Sequence, residues 1–402
     1  MHKSNSINHF LLVFLSSFLS SSAVFATTTL NITSENNKPY ASSPSQMESY
    51  QDSKLSLEKT VSAILPALPS LSSGSVYYVS NDGSDKNNGS QNGAWKTLKY
   101  AVSKLKAGDT LYLTEGTYKD TADFISSGTQ DKLITIQGIG NVWIDNSASY
   151  IFDPAFDTNG QSYIQFKNIN VRNSRAGVLI GGGSHHVTVN GLNTDHAQFA
   201  VLIKDASFVT ILNATADNSR HAFRAEGVSH DLHFENIKAF RSQDVYAGYD
   251  LDYLNGDGFI FENQTYNVTI KNAESRDHWD AGFDIKANNV WIENVIASGN
   301  KNGLKLWGRN ITVVNALIYD SKKQLKTDGT YVDGMGVNVR SGTSSILNST
   351  FVDNEAEDIK VAGGATLSLV NSIVVRTLTG GKLLGKYGNF TSQNVLWYRQ
   401  GA

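Results

Sequence analysis

The sequence predicts an all-β protein, a right-handed parallel β-helix with an N-terminal capping helix, on three observations. Turn formers dominate: Gly occurs 34 times among 402 residues against five Pro and three Met, a balance that suits many short strands joined by turns. An Asn closes an apolar strand at Asn168, Asn213, Asn236, Asn272, Asn294, Asn315, Asn348 and Asn371, with Gly191 in the one missing place, and most steps are roughly 21 to 23 residues. About ten residues after these positions a second strand opens at Gly177, Ala200, Ala222, Gly258, Gly282, Gly303, Gly336 and Asp358, which completes one coil of a solenoid. Two longer steps mark insertions, around Asp244 to Asn255 and around Lys322 to Asp333.

The chain divides into three parts. Lys3 stands in a short polar lead, Phe10 to Leu19 is apolar, and Val24-Phe25-Ala26 suits a signal-peptidase site, so residues 1–26 are expected to be a signal peptide. The mature chain is then expected to be secreted, extracellular or periplasmic. Residues 27–75, rich in Ser, Thr and Asn with Pro44, Pro66 and Pro69, read as a linker, and residues 76–402 as the β-helix. No later run is long and apolar enough to cross a bilayer, so no membrane partner is expected. The absence of Cys leaves repetitive burial to hold the fold together. A net charge of -3 with only 18% charged residues excludes the global basic field that nucleic-acid binding needs. The fold should be monomeric, and any charge recognition local.

Val76 to Val79 starts the domain as a strand, and Trp95, Leu98, Ala101, Val102 and Leu105 then recur at helical spacing until Gly108. Such a helix suits the open end of a stacked core. Within the second strand of each coil, alternation turns Val178, Val201, Phe223, Phe259, Phe283, Leu304, Val337 and Ile359 inward. The next column, Leu179, Leu202, Arg224, Ile260, Asp284, Lys305, Asn338 and Lys360, then faces out. Two residues further along the same strands lie Lys286, Trp307 and Arg340, which predicts a local basic cluster. The Asn column reads as a turn device that satisfies backbone groups. The pair His185-His186, His221 and His230 show no metal-ligand spacing and are expected at surface or turn positions.

Beside the basic cluster, Asp257, Asp277, Asp280 and Asp284 gather in two adjoining coils. Carboxylate oxygens on a rigid surface make a hard-cation site, and calcium tolerates the irregular six to eight oxygen geometry such a site offers. The ordered strings Asp257-Gly-Phe, Asp280-Ala-Gly-Phe-Asp284 and Asn302-Gly303-Leu304-Lys305-Leu306 resemble the successive motifs of family 9 polysaccharide lyases, parallel β-helix pectate lyases with a lysine base. The resemblance implies calcium at Asp257, Asp280 and Asp284 and catalysis by Lys305. It departs from the family at Ala281, where the pattern carries a further Asp; Asp277 or Asn255 could supply that oxygen.

The function implied is calcium-dependent β-elimination in an acidic uronate polymer, pectate or polygalacturonate first. Abstraction of the C5 proton adds charge beside a C6 carboxylate, which a bound cation would stabilise. Lys305 would act as the neutral amine, so its ordinary pKa of about 10.4 has to fall, helped by calcium and by cationic Lys286 or Arg340 and opposed by Asp284. Arg340 suits a substrate carboxylate, Trp307 a sugar ring, and Lys286 and Asn338 complete the substrate-binding set. Lys305→Ala should then abolish elimination and leave stability nearly unchanged, as for an exposed side chain. Three rivals share the fold: a non-catalytic glycan-binding or adhesin module, a lyase or epimerase acting on alginate or a glycosaminoglycan, and a glycoside hydrolase, whose polygalacturonase-type motifs are absent.

Overall fold

The computed structural model describes residues 74–147, 153–243 and 255–401. The expected signal peptide, all but the last two residues of the linker and most of the first insertion lie outside the described residues. Almost every element is a strand, and almost every pairing is parallel to the equivalent strand one coil on. Among the described residues an eleven-stranded sheet carries the second strand of each coil, and an eighteen-stranded set carries the long strands such as Ser207–Asp217, Tyr266–Arg276 and Asn288–Ser298. This is a parallel β-helix. The second insertion forms an antiparallel hairpin, Lys323–Leu325 with Tyr331–Asp333.

The register is the one the alternation predicts. Leu179, Leu202, Arg224, Ile260, Asp284, Lys305, Asn338 and Lys360 are direct partners in turn across eight strands. The alternate column from Val178 to Ile359 is at most 1% exposed and belongs to one continuous core. Equivalent residues repeat at about the 4.8 Å spacing of paired strands, so identical rings stack. Phe223 and Phe259 lie 5.2 Å apart and Phe259 and Phe283 4.7 Å apart, with the second pair nearly parallel at 8°. Each such ring contributes about 1.5–3 kcal/mol by burial alone.

The Asn column does something different from what its sequence suggests. Asn213, Asn236, Asn272, Asn294 and Asn315 sit in the middle of long strands with φ between 51 and 57°, and Gly191 holds the equivalent place at 76°. Each is a bend that turns the strand from one face to the next, in the left-handed region that Asn and Gly tolerate best. Their amides bond to each other rather than to turn backbones: Asn236 Nδ2 donates to Asn213 Oδ1 at 3.1 Å, Asn272 to Asn236 at 3.3 Å, Asn294 to Asn272 and Asn315 to Asn294 at 3.1 Å.

The N-terminal helix is shorter than its apolar spacing predicts, Leu98–Val102, opened by the Thr97 hydroxyl, which accepts from Tyr100 N–H. Ser103 Oγ donates to Tyr100 O and Lys106 N–H donates to Asp109 Oδ2, so the backbone leaves the helix before Leu105 although Trp95 and Leu105 are still buried in the core. Its service as an end cap remains an expectation of the sequence. Asn294→Ala is expected to lower stability by about 1–2 kcal/mol of left-handed strain that Asn294→Gly avoids. Equal losses on chemical denaturation would mean that the amide ladder, not the backbone conformation, is what the column supplies.

Candidate active site

The site lies where the strands Phe259–Phe261, Ala281–Ile285, Asn302–Leu306 and Met335–Val339 pair side by side. Gly303 lets these strands close up: a Cβ there would stand 2.5 Å from Gly336 O and 2.4 Å from Ile318 Cγ2. Lys305 reaches across from its own strand to the preceding one. Its Nζ is 2.9 Å from Asp280 Oδ2 and 3.5 Å from Asp284 Oδ2. Lys301 Nζ lies 3.3 Å from the other Asp280 oxygen and 3.9 Å from Asp333. Lys286 lies 3.3 Å from Asp284 and 3.2 Å from Glu262. Of the expected basic cluster, Lys286 and Lys305 join Lys301 in a chain of alternating charges, each lysine held between two carboxylates.

The remaining Asp residues separate. Asp257 is fully buried behind this row; its Oδ1 accepts from Ala281 N–H at 2.9 Å, and its Oδ2 lies 3.1 Å from His221 Nδ1. The same nitrogen is 3.2 Å from the Asp257 backbone N–H, so it donates to the carboxylate when protonated and accepts from the amide when not. Burial opposes ionisation of Asp257, yet His221, the Lys305 ammonium and the Ala281 amide hold it down to about 2. Asp277 does not join the cluster: it is exposed at a left-handed turn with φ 60°. Asn255, the other oxygen considered for the gap at Ala281, turns its Oδ1 to Gly256 N–H at 3.1 Å.

Two expectations about Lys305 need correction. Its side chain is only 12% exposed, so it is no solvated lysine on an open face. Burial works to lower its pKa, but Asp280, Asp284 and Asp257 outweigh burial and raise it, so the residue is an ammonium in this arrangement. Burial and the neighbouring carboxylates likewise push Asp280 and Asp284 up, against the pull of the lysines. Lys286 is also raised, against burial, by Asp284 and Glu262, so it is no free cation that depresses Lys305.

Trp307 and Arg340 continue the row, since Trp307 N–H donates to Ile285 O and Arg340 N–H to Leu306 O. The Arg340 guanidinium stacks 4.8 Å from the Trp307 ring, which covers one of its faces. Asn338 is fully buried beside Lys305, with both amide atoms unpartnered among the described residues. Sequence reasoning missed His221 and Lys301. His221 is 1% exposed rather than at the surface. The available signal was position: His221 and Asp257 each stand one residue before the small residue that opens successive second strands, at Ala222 and Gly258. Lys301 and Asp280 likewise share the position before that.

The oxygens fit a hard cation in kind. Among the described residues, Asp284 Oδ1, Asn302 Oδ1 and Asn338 Oδ1 are buried without a hydrogen-bond donor, and oxygen donors of this type are what calcium takes. Among the described residues, however, no three His, Asp or Glu side chains converge on one point as a ready-made cage. The Lys305 ammonium, between Asp280 and Asp284, occupies the cationic position.

Residues 77–285, just over half of the chain, match the model of the family described as the Pel9A-like, right-handed β-helix region. The chain belongs to this family. The Pel9A-like match includes Asp257, Asp280 and Asp284 and stops before Lys305. A pectate disaccharide-lyase of Dickeya chrysanthemi is 24% identical over 289 residues, 69% of this chain and 33% of that one. The uncharacterized protein YwoF of Bacillus subtilis is 30% identical over 130 residues, 29% of this chain and 28% of its own length. The chain therefore spans a third or less of the curated relatives it matches. Among solved structures, PfbA, a surface adhesin of Streptococcus pneumoniae, superposes with a TM-score of 0.52 at 13% identity over 73% of this chain and 83% of that one. At that identity the likeness speaks to the fold alone.

Two outcomes follow from the buried charges. Lys305→Ala should cost about 3 kcal/mol in chemical denaturation at neutral pH, because it leaves two buried carboxylates with one lysine fewer; an unchanged midpoint would show that Lys305 is solvated after all. His278 is buried with Nδ1 accepting from Ser242 N–H and Nε2 bonded to Ser275 Oγ, both at 2.9 Å, and burial, against the pull of Asp257, holds its pKa down to about 3 from 6.5. The unfolded chain takes up a proton below 6.5 that the fold refuses, so stability should fall as pH drops from about 6.5 toward 3. His278→Gln should flatten that slope between pH 6.5 and 4, above the range where Asp257 titrates; an unaltered slope would assign it elsewhere.

Proposed function

We propose that this member of the Pel9A-like family is a lyase that cleaves an acidic uronate polymer, pectate or polygalacturonate first, by β-elimination with Lys305 as the base, acting outside the cytoplasm. The observation that carries this reading is the meeting of Lys305 with Asp280 and Asp284 in one row of paired strands, with unpartnered buried oxygens on either side. A lysine that abstracts a proton has to reach its neutral form, and here three carboxylates hold it as the ammonium. Lys305 becomes a competent base only when the negative charge of Asp280 and Asp284 is offset by another cation, which links the two halves of the site.

We propose calcium for that cation, which Asp280 and Asp284 would hold, with the unpartnered oxygens of Asn302 and Asn338 as further donors. When bound it supplies the positive charge that stabilises charge developing on the substrate C6 carboxylate. Lys305 takes the C5 proton, and the C4 oxygen departs to leave an unsaturated sugar. Arg340, held on the Trp307 ring, presents a fork of donors suited to a uronate carboxylate. Asp257, held by His221 and the Ala281 amide, backs the row.

One observation favours a second reading. A lysine ion-paired on both sides also suits a non-catalytic surface that binds glycans, a role that fits the adhesin sharing this fold. Ultraviolet absorbance of unsaturated uronate, recorded on a panel of acidic polysaccharides with and without chelator, separates the two. Elimination that chelator abolishes, rises with pH and falls by at least about 100-fold in Lys305→Arg is expected, since a guanidinium stays protonated. An Arg variant with most of its rate would remove Lys305 from the chemistry, and binding without absorbance would favour the glycan-binding surface.

A further inference from the structure

We propose that an open cavity beside this site binds a second carboxylate of the same polymer, with Lys360 as the cation that holds it. The inference rests on the reading of a uronate polymer as the ligand. Lys305, Asn338 and Lys360 are direct partners on consecutive strands, so Lys360 stands two strands beyond Lys305, about 10 Å along the helix axis. The cavity, of about 520 Å³, has Met335, Glu357 and Lys360 along its floor and the hairpin of the second insertion, through Lys323 and Tyr331, as a wall. It adjoins the cluster directly: Met335 pairs with Asn302, and Asp333, which also lines the cavity, lies 3.9 Å from Lys301.

Charge distinguishes Lys360 from the lysines of the cluster. Lys286, Lys301 and Lys305 each have two carboxylate partners, whereas Lys360, half-buried, has none among the described residues. The two carboxylates in the cavity are matched already, Asp333 by Lys301 and Glu357 by Lys382 at 3.8 Å. An ammonium partly withdrawn from water and left without an anion is a place for one. Between Lys305 and Lys360 lies Asn338, fully buried, so the groups a polymer laid along the row can meet are the two lysines. An anionic polymer running across the coils meets Lys305 and then Lys360. A fragment too short to span two strands meets only the first.

Calorimetric binding of hexagalacturonate and digalacturonate to the full chain tests this, with wild type, Lys360→Ala and Lys360→Arg compared. Loss of one partly exposed ion pair should weaken hexamer binding about five-fold in Lys360→Ala. Dimer affinity should stay within about two-fold and Lys360→Arg should recover the hexamer. Hexamer affinity unchanged in Lys360→Ala, or lost equally for dimer and hexamer, would overturn the subsite, as would failure of the wild type to bind the hexamer. Failure of the lyase reading looks different: hexamer binding that depends on Lys360, with no unsaturated product from any polymer, leaves the subsite standing without the reaction.

Discussion

Each strand of the eleven-stranded sheet hydrogen-bonds to its equivalent one coil on, and every feature of the site depends on that parallel pairing. Asp284, Lys305, Asn338 and Lys360 are far apart along the chain and adjacent in space because their strands are consecutive in the stack. What fixes the pairing is the opposite face. A slip of one residue would bring Phe259, Phe283 and Leu304 out of the core and send Asp284 and Lys305 into it, so the apolar column locks the polar one in place. The stacked rings are in that sense part of the site's architecture although none touches it.

The ion cluster meets a constraint of its own. Taking carboxylates and ammonium groups out of water costs several kcal/mol per ion unless each is paired with good geometry. The chain answers by alternation: Glu262, Lys286, Asp284, Lys305, Asp280, Lys301 and Asp333 follow one another with opposite signs at every step. Such a string is neutral at each link and can tolerate burial, but it favours the ammonium form of Lys286 and Lys305 over the neutral amine. The same pairing holds Lys305 as the ammonium, so the base proposed for it requires a change in the charge around it.

How much of this was legible in the sequence follows from where each residue sits in its coil. The columns from Val178 to Ile359 and from Leu179 to Lys360 could be read because alternation is local and each small opening residue gives the phase. His221 and Lys301 stand at the corners before the strands, where alternation has not begun, so nothing local told which way they point. The Asn column was legible as a repeat but not as a set of bends, since the sequence does not show that its strands continue on both sides of it. The burial of Lys305 was also hidden: alternation tells which face a side chain takes, while the ion pairs that enclose it come from Asp280 at the corner of the preceding coil. The helix at Leu98 ended early because Ser103 and Asp109 capture backbone groups that apolar spacing does not register.

The register carries a consequence for how such a protein can change length. In a solenoid each coil contacts only its neighbours, so a whole coil can be added or removed wherever the faces match, and stability changes by roughly one repeat and one interface. Before Phe223 or after Val361, such a duplication would lengthen the stack and leave the cluster intact. Between Asp284 and Lys305 it would leave every strand paired and every ring stacked, yet carry the ammonium one spacing away from its carboxylates. The four coils whose second strands run from Phe259 to Val339 thus form an indivisible block within a fold that is otherwise modular, and the cluster is indexed by the count of coils as much as by the residues in them.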